Sequence, residues 1–384
     1  MSDIEQLVKK RRQQVARIVD ESFERAQRRS ALTNMYFPVQ TIDLWELMDV
    51  VVERNLAVAS VIGLDQEIPY TRGGMWRERV EQLIKLAIGH LMTENDMVQI
   101  SKLQKIGQRG MMEIINIIFG QMDDIPPRIM GLADLLTWEA IYKGSVSYTD
   151  SRTKQKATFN YQTESTLFPS ALAGGNTWDN PTTATGLDDM RALSDAFYEI
   201  HGYRPTGHTA MSNKQFEQLR AQTATKEAYI SMTASAAGTA GAFVPLEAIN
   251  AMLTERGIPP IYVNENGQPG FDDNVVVETV SKASTKPPTF TNTRLLPEGY
   301  VTFLIQQQAV NTNFLGTNTG MLGQRVFGPT IESKRGSLEA QERAGIYTDV
   351  EELSKSPPQV RMFGVGNFLV DIPNPKLLVS QKVA

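Results

Sequence analysis

The stretch 125–143 constrains the fold more than any other part of the chain, because it reads as one uninterrupted helix with both ends marked. Asp123, Asp124 and Pro126 supply the start, with proline tolerated in the first turn, and Gly144 supplies the stop. Ile129, Leu132, Ala133, Leu136 and Ala140 form one apolar stripe, and Leu135, Trp138 and Ile141 add a second. A helix of this kind is covered on more than one side. At 1.5 Å per residue it is roughly 28 Å long, enough to serve as the backbone of a domain.

The elements around it are mixed in type. Residues 145–163 read as a strand, a polar turn at 150–156, and a second strand carrying Phe159 and Tyr161. A loop rich in Gly, Asn and Thr surrounds Trp178. Three short helices are expected next: 188–202, one opened by the capping box Ser212 to Gln215, and one started by Pro245 and stopped by Gly257. Strands follow at 258–263, 274–280 and 300–305, the first ending in a turn that contains Asn266 and Gly267. In the last stretch Phe368, Val370 and Ile372 share a strand face, Pro373 to Pro375 make a turn, and Leu377 and Val379 start a final strand. The pattern is α+β. No alternating βαβ series is present, which argues against a doubly wound nucleotide-binding sheet.

The N-terminal third has a different layout. Residues 2–29 contain neither Gly nor Pro, and Ile4, Leu7, Val8, Val15, Ile18, Val19 and Phe23 recur at helical spacing. The opposite face is basic, with Lys9, Lys10, Arg11 and Arg12 at its centre, in a chain whose formal net charge is −5. Residues 44–64 are apolar and mixed in period, and Pro69 with Thr71, Arg72, Gly73 and Gly74 marks a loop tip. Ile84, Leu86, Ile88 and His90 then alternate with Lys85, Ala87 and Gly89, as in an extended arm returning from that tip. A long excursion of this sort is unusual inside a compact domain.

Composition narrows the chemistry. With 384 residues, 41% hydrophobic and 21% charged, the chain can build two or three packed units. The acidic balance speaks against a protein whose main task is to coat nucleic acid. Cysteine is absent, which removes disulfides, zinc-thiolate sites and thiol nucleophiles. Of the three histidines, His90, His201 and His208, the last two are separated by Gly202 and Pro205 and do not share a helix face as a metal pair would. The glycines at 236–241 lack a following Lys-Ser/Thr, and neither a Gly-x-Ser-x-Gly elbow nor a His-Glu-x-x-His helix occurs. The acidic pairs Asp123–Asp124 and Asp188–Asp189 read as helix caps, and Asp272–Asp273 as a turn. No run approaches the roughly 18 apolar residues of a membrane helix, and the N-terminus lacks a signal-peptide core, so a soluble protein is expected with no catalytic, cofactor or metal residues and no membrane partner.

From Ile125 onward the order of elements resembles the lambda-type major capsid family of tailed phages, which shares the Hong Kong ninety-seven phage fold. The resemblance rests on the helix ending in Ala133 to Gly144, the hairpin that follows, Trp178, the stretches from Pro260 to Val263 and from Leu296 to Phe303, and the terminal strands from Asn367 to Val383. It implies an N-terminal arm at 1–60, an extended E-loop at 61–95, a P-domain at 96–180 with its spine helix at 125–143, an A-domain at 181–325, and a return to the P-domain at 326–384. It implies a self-assembling shell subunit, located in the virion capsid and made in the host cytoplasm. Partners would be further copies in hexamers and pentamers, portal, scaffold and decoration proteins, and packaged double-stranded DNA through weak contacts.

On that reading Arg72, Trp76, Arg77, Glu78, Arg79, Ile84, Leu86 and Ile88 are the expected inter-subunit residues. The apolar ones would be covered by an adjacent subunit and the charged ones would set register. Lys9, Lys10, Arg11 and Arg12 would face the interior, toward scaffold or DNA. An encapsulin-like compartment shares the fold and differs in cargo; an α+β enzyme, or a DNA-binding protein using its first helix, are the readings from other classes. If the basic helix serves assembly, deleting residues 2–29 lowers prohead yield and DNA packaging, which counting filled particles in complementation measures directly.

Overall fold

The computed structural model describes residues 31–42, 46–53, 75–92, 122–150, 154–233, 243–279, 289–306, 321–330, 345–353 and 359–384, with residues 21, 22, 24, 25, 98, 102 and 120. In chain order the elements are α1 (Ala31–Tyr36), β1 (Val39–Thr41), β2 (Glu46–Glu53), β3 (Met75–Gln82), β4 (Ile84–Met92), α2 (Ile125–Lys143), β5 (Ser145–Thr149) and β6 (Lys156–Asn160). They continue with α3 (Gly186–His201), β7 (Gly207–Met211), α4 (Asn213–Ala221), α5 (Thr223–Thr233), α6 (Leu246–Glu255), β8 (Asn274–Thr279), β9 (Thr289–Arg294) and β10 (Tyr300–Ile305). The chain closes with β11 (Gln324–Gly328), β12 (Ile346–Leu353), β13 (Gln359–Asp371) and β14 (Val379–Lys382).

The long helix α2 spans the residues its sequence marks. Gly144 ends it in the left-handed conformation, φ 68°, and its N–H bonds Ala140 O at 2.9 Å. A side chain there would also collide with Thr163, so two constraints ask for glycine at one place. Burial runs round the helix, from Ile125, Ile129 and Ala133 to Met130, Leu136, Trp138 and Ile141, as the double stripe requires. Its start is built differently from the expectation. Asp124 sits at the N-cap position in helical conformation and caps nothing with its side chain. The turn before it is already helical, with Asp124 N–H on Gly120 O, so the orphan donors that a capping carboxylate would satisfy are not at this point.

Two sheets flank this helix. In the larger, β1, β11, β13 and β12 run in that order, with β4 on the other side of the long central strand β13. The pairing of β1 with β11 is parallel, and all the others are antiparallel. Register places Leu86 opposite Gly366 and Ile88 opposite Gly364. A Cβ at Gly364 would overlap Ile125, so this strand lies close against α2 only because side chains are missing there. The smaller sheet has the order β14, β10, β7, all antiparallel. The final strand therefore leaves the sheet of β13 and joins β10, and Leu377, expected to start it, lies in a 3₁₀ turn.

In chain order α3, α4, α5 and α6 follow the β5–β6 hairpin, with β7 between α3 and α4. The capping box at Ser212 is present, with its Oγ accepting from Gln215 N–H. Thr223–Thr233 is a fourth helix where three were expected; Gln222, extended at φ −60° and ψ 138°, separates it from α4 without any Gly or Pro to signal the break. Residues 258–263 do not form a strand and contribute only bridges, Ile261 with Thr209 and Val263 with Pro269. Strands β9, β11 and β12 had no sequence expectation: TFTNTR is polar, and QRVFG puts an arginine in the core. Asp188 and Asp189 lie in the first turn of α3 but cap nothing, since Asp188 pairs with Arg256 at 3.0 Å and Asp189 accepts from Trp178 Nε1 at 2.9 Å.

The core closes over two anchors. Trp138 stacks on Phe271, ring centroids 4.3 Å apart, and its Nε1 donates to Thr33 Oγ1 at 2.9 Å. Arg325 is wholly buried and donates to Phe37 O at 2.8 Å, to Asn34 Oδ1 and to Asp134, itself 4% exposed. Three segments far apart in sequence thus meet on one guanidinium. Replacing Arg325 by Ala leaves Asp134 charged and buried, and should cost about 3–5 kcal/mol. Urea unfolding measures it, and the double replacement Arg325→Met with Asp134→Leu should cost less than the single one.

Candidate assembly interface

Among the described residues no group of three or more His, Cys, Asp or Glu side chains is placed to hold a metal ion, and no helix is long and apolar enough to cross a membrane. The features that ask for an explanation are two ribbons. β2 and β3 pair with each other over eight residues, from Glu46 opposite Gln82 to Glu53 opposite Met75, and with no other described strand. β8 and β9 do the same over six, from Asn274 opposite Arg294 to Thr279 opposite Thr289. Among the described residues, each ribbon therefore has both outer backbone edges unpaired.

The sequence-predicted contact residues divide between ribbon and core. Trp76, Arg77, Glu78 and Arg79 fall on β3, opposite Val52, Val51, Val50 and Asp49. Arg72 lies outside the described residues, as do Lys9, Lys10, Arg11 and Arg12. Ile84, Leu86 and Ile88 require a correction. They belong to β4, not to a projecting arm; Leu86 is 6% exposed, and Ile84 and Ile88 are half-buried against the same core. Their alternation is the mark of a strand with one face on α2, so the chain covers this face itself. β2 and β3 form a separate two-stranded pair, while 84–92 is part of the large sheet.

The β8–β9 ribbon was half visible in sequence. Alternation in NVVVET marks β8, and nothing in TFTNTR marks its partner. One face of β8 rests on the helix: Val275 packs on Gly131, where an added Cβ would stand 3.3 Å from its Cγ1. Away from it, Val276 and Phe290 are 63% and 64% exposed. The base of the ribbon is tied by charges. Arg294 pairs with Asp272 and, at 3.2 Å, with Glu298, which Lys214 also reaches at 2.7 Å. Neighbouring Asp273 has no ion-pair partner among the described residues. Burial first, then the charges of Asp134, Asp272 and Glu265, push its carboxyl up to about 6.

Two histidines are built into the packing. His208 on β7 shares a 2.7 Å hydrogen bond between its Nδ1 and the Tyr36 hydroxyl, and so joins the N-terminal segment to the smaller sheet. His201, the last residue of α3, bonds Lys376 O through Nε2 at 2.9 Å and stacks on Phe197. Burial lowers the pKa of both, for His201 in spite of that bond to Lys376 O.

No protein-family model and no curated protein matches the chain. Solved structures do. One is a chain assigned as a capsid protein of a prophage in E. coli CFT073, with TM-score 0.48, 12% identity and coverage of 92% of both chains. Another is the capsid of the myovirus phage XM1, with TM-score 0.41, 10% identity, and coverage of 92% of this chain and 90% of that one. A third is a virus-like particle from Pyrococcus furiosus, with TM-score 0.41, 10% identity, and coverage of 95% and 98%.

The histidine shifts fix a direction for acid sensitivity. A group whose folded pKa lies below its unfolded value supports the fold above the unfolded pKa, near 6.5, and withdraws that support as pH falls through the folded value. The histidines' contribution to the melting temperature should therefore decline between pH 7 and pH 5, opposed by Asp273, whose raised pKa adds stability over the same fall. Replacing His201 and His208 together by Gln should flatten that decline, read by thermal scans across the pH range.

Proposed function

We propose that the chain is the major capsid protein of a tailed bacteriophage, a subunit that assembles into hexamers and pentamers and encloses double-stranded DNA. The observation that carries the proposal is the β2–β3 ribbon, an eight-residue pair of strands that no other described strand of the chain completes. A two-stranded ribbon is marginal in water by itself, and open strand edges recruit other chains. Such a ribbon makes poor sense on a monomer and good sense lying across a neighbouring copy. A rigid body built on α2 and the large sheet would then form the wall, with ribbons as its ties.

Within this reading Arg77, Glu78 and Arg79 on β3, with Arg72 and Trp76, are the residues that set register between copies. Portal, scaffold and decoration proteins are the further partners, and packaged DNA is touched weakly, in keeping with the net charge of −5. The obligatory steps of assembly need no covalent bond made or broken, so no catalytic residue is assigned. The shell would be assembled in the host cytoplasm and end in the virion.

Negative-stain microscopy of the expressed protein tests the proposal. Closed particles tens of nanometres across are expected, and a protein that stays monomeric or dimeric at every concentration sinks it. Charge reversal of Arg77 and Arg79 to Glu should abolish particles while leaving the circular dichroism and melting of the subunit unchanged. Nuclease-protected DNA in particles from infected cells separates a genome shell from an enzyme-storing compartment.

A further inference from the structure

A groove of about 1170 Å³ runs between α2 and β4 on one side and the β8–β9 ribbon on the other. Its walls are apolar, including Leu135, Val275 and Phe363, and acids stand along them. Most of the acid charge on α2 and the ribbon is met within the chain: Asp134 pairs with Arg325, Asp272 with Arg294, and Asp124 with Arg128 at 3.5 Å. Asp273 is different. Among the described residues the charged groups that bear on its carboxylate are Asp134, Asp272 and Glu265, all of them acids. The groove thus carries a half-buried negative charge that the folded core leaves uncompensated.

A basic segment is tethered at its mouth. Ser22 Oγ donates to Asp123 O at 2.7 Å and Arg25 pairs with the Asp123 carboxylate at 2.5 Å, one residue from Asp124 on the groove wall. Upstream of that anchor the sequence holds Lys9, Lys10, Arg11 and Arg12 beside Ile4, Leu7 and Val8. The basic run lies 10–13 residues before Ser22, a reach of about 15–20 Å if helical and roughly 33–47 Å if extended. The groove wall from Asp124 to Leu135 is about 16 Å long, counted along the helix. The run can therefore lie beside Asp273 without leaving the subunit.

We infer that this groove is the seat of the chain's own N-terminal segment, with the basic run at 9–12 answering the Asp273 carboxylate and the neighbouring apolar residues covering the groove walls. Charge complementarity and the tether at Asp123 choose this occupant over any other. The inference goes beyond the shell assignment and is independent of it, since the contact forms within one subunit. It gives the N-terminal segment a role as a tie between α2 and the ribbon.

Zero-length carbodiimide cross-linking of the full chain, read by peptide mass spectrometry, tests it. Lys9 or Lys10 should become joined to Asp272 or Asp273, with a yield comparable to that of Lys214 with Glu298, whose 2.7 Å ion pair is an internal control. Replacing Arg11 and Arg12 by Gln should lower the Lys9 and Lys10 products severalfold and leave the control unchanged. In an equal mixture of ¹⁵N-labelled and unlabelled subunits, products should be purely light or purely heavy. Mixed products would mean that a neighbouring copy fills the groove, and would overturn the inference. So would a normal Lys214–Glu298 product with Lys9 and Lys10 joined only to acids outside the groove, or to none. None of these failures touches the shell assignment, which particle formation decides.

Discussion

The structure depends on a charge buried where charge is expensive. Arg325 enters the core from the short strand β11 and gathers Asn34, Phe37 O and Asp134, so that the N-terminal segment, the long helix and the large sheet share one set of hydrogen bonds. Desolvating a guanidinium and a carboxylate together costs several kcal/mol per ion, and only complete pairing returns it. That makes the cluster a demanding fit and not a strong glue. A fold that misplaces any of the three segments leaves a buried ion unmet, so the cluster selects one arrangement of elements over its near alternatives. Trp138 works at the same junction by different means, with its ring on Phe271 and its N–H on Thr33.

Around this dense centre the chain spends strands on structures that its own core does not need. The β2–β3 ribbon pairs with no other described strand, and the β8–β9 ribbon rests one face on α2 while Val276 and Phe290 are exposed. A subunit meant to remain alone gains nothing from open edges and an exposed phenylalanine, which invite association. In the shell proposed above the same features would become contacts. The division between a closed wall and open ribbons is the physical content of the capsid reading, and it holds whichever residues at the tips prove to set the register.

Much of the fold was legible wherever a local signal sufficed. Gly144 and Gly202 end their helices in the left-handed conformation, Ser212 caps α4, and strand β10 spans its expected residues. The misses follow a physical pattern. Asp124 and Asp188 look like caps in sequence, but one follows a turn already helical and the other is drawn to Arg256. Thr223–Thr233 was hidden because a single extended residue, Gln222, breaks the helix without a breaker residue. Of the candidate contacts, the charges at 77–79 fall on β3, whereas Ile84, Leu86 and Ile88 share their alternation with any half-buried strand. Period two says that a face is covered, not by whom.

The sequence by itself determined the α+β class, the long helix from Ile125 to Gly144, the hairpin after it, and the absence of cysteine chemistry, because each is set by residues within a few positions of one another. Only the tertiary structure decided that β4 lies in the large sheet beside β13, that β14 crosses to β10, and that the arginine of QRVFG is internal. Those outcomes rest on contacts between residues about 80 to 290 positions apart, such as Ser380 with Thr302 and Arg325 with Phe37. Strand pairing and ion burial are settled by which surfaces the packed helix leaves available, and no short stretch of sequence carries that information.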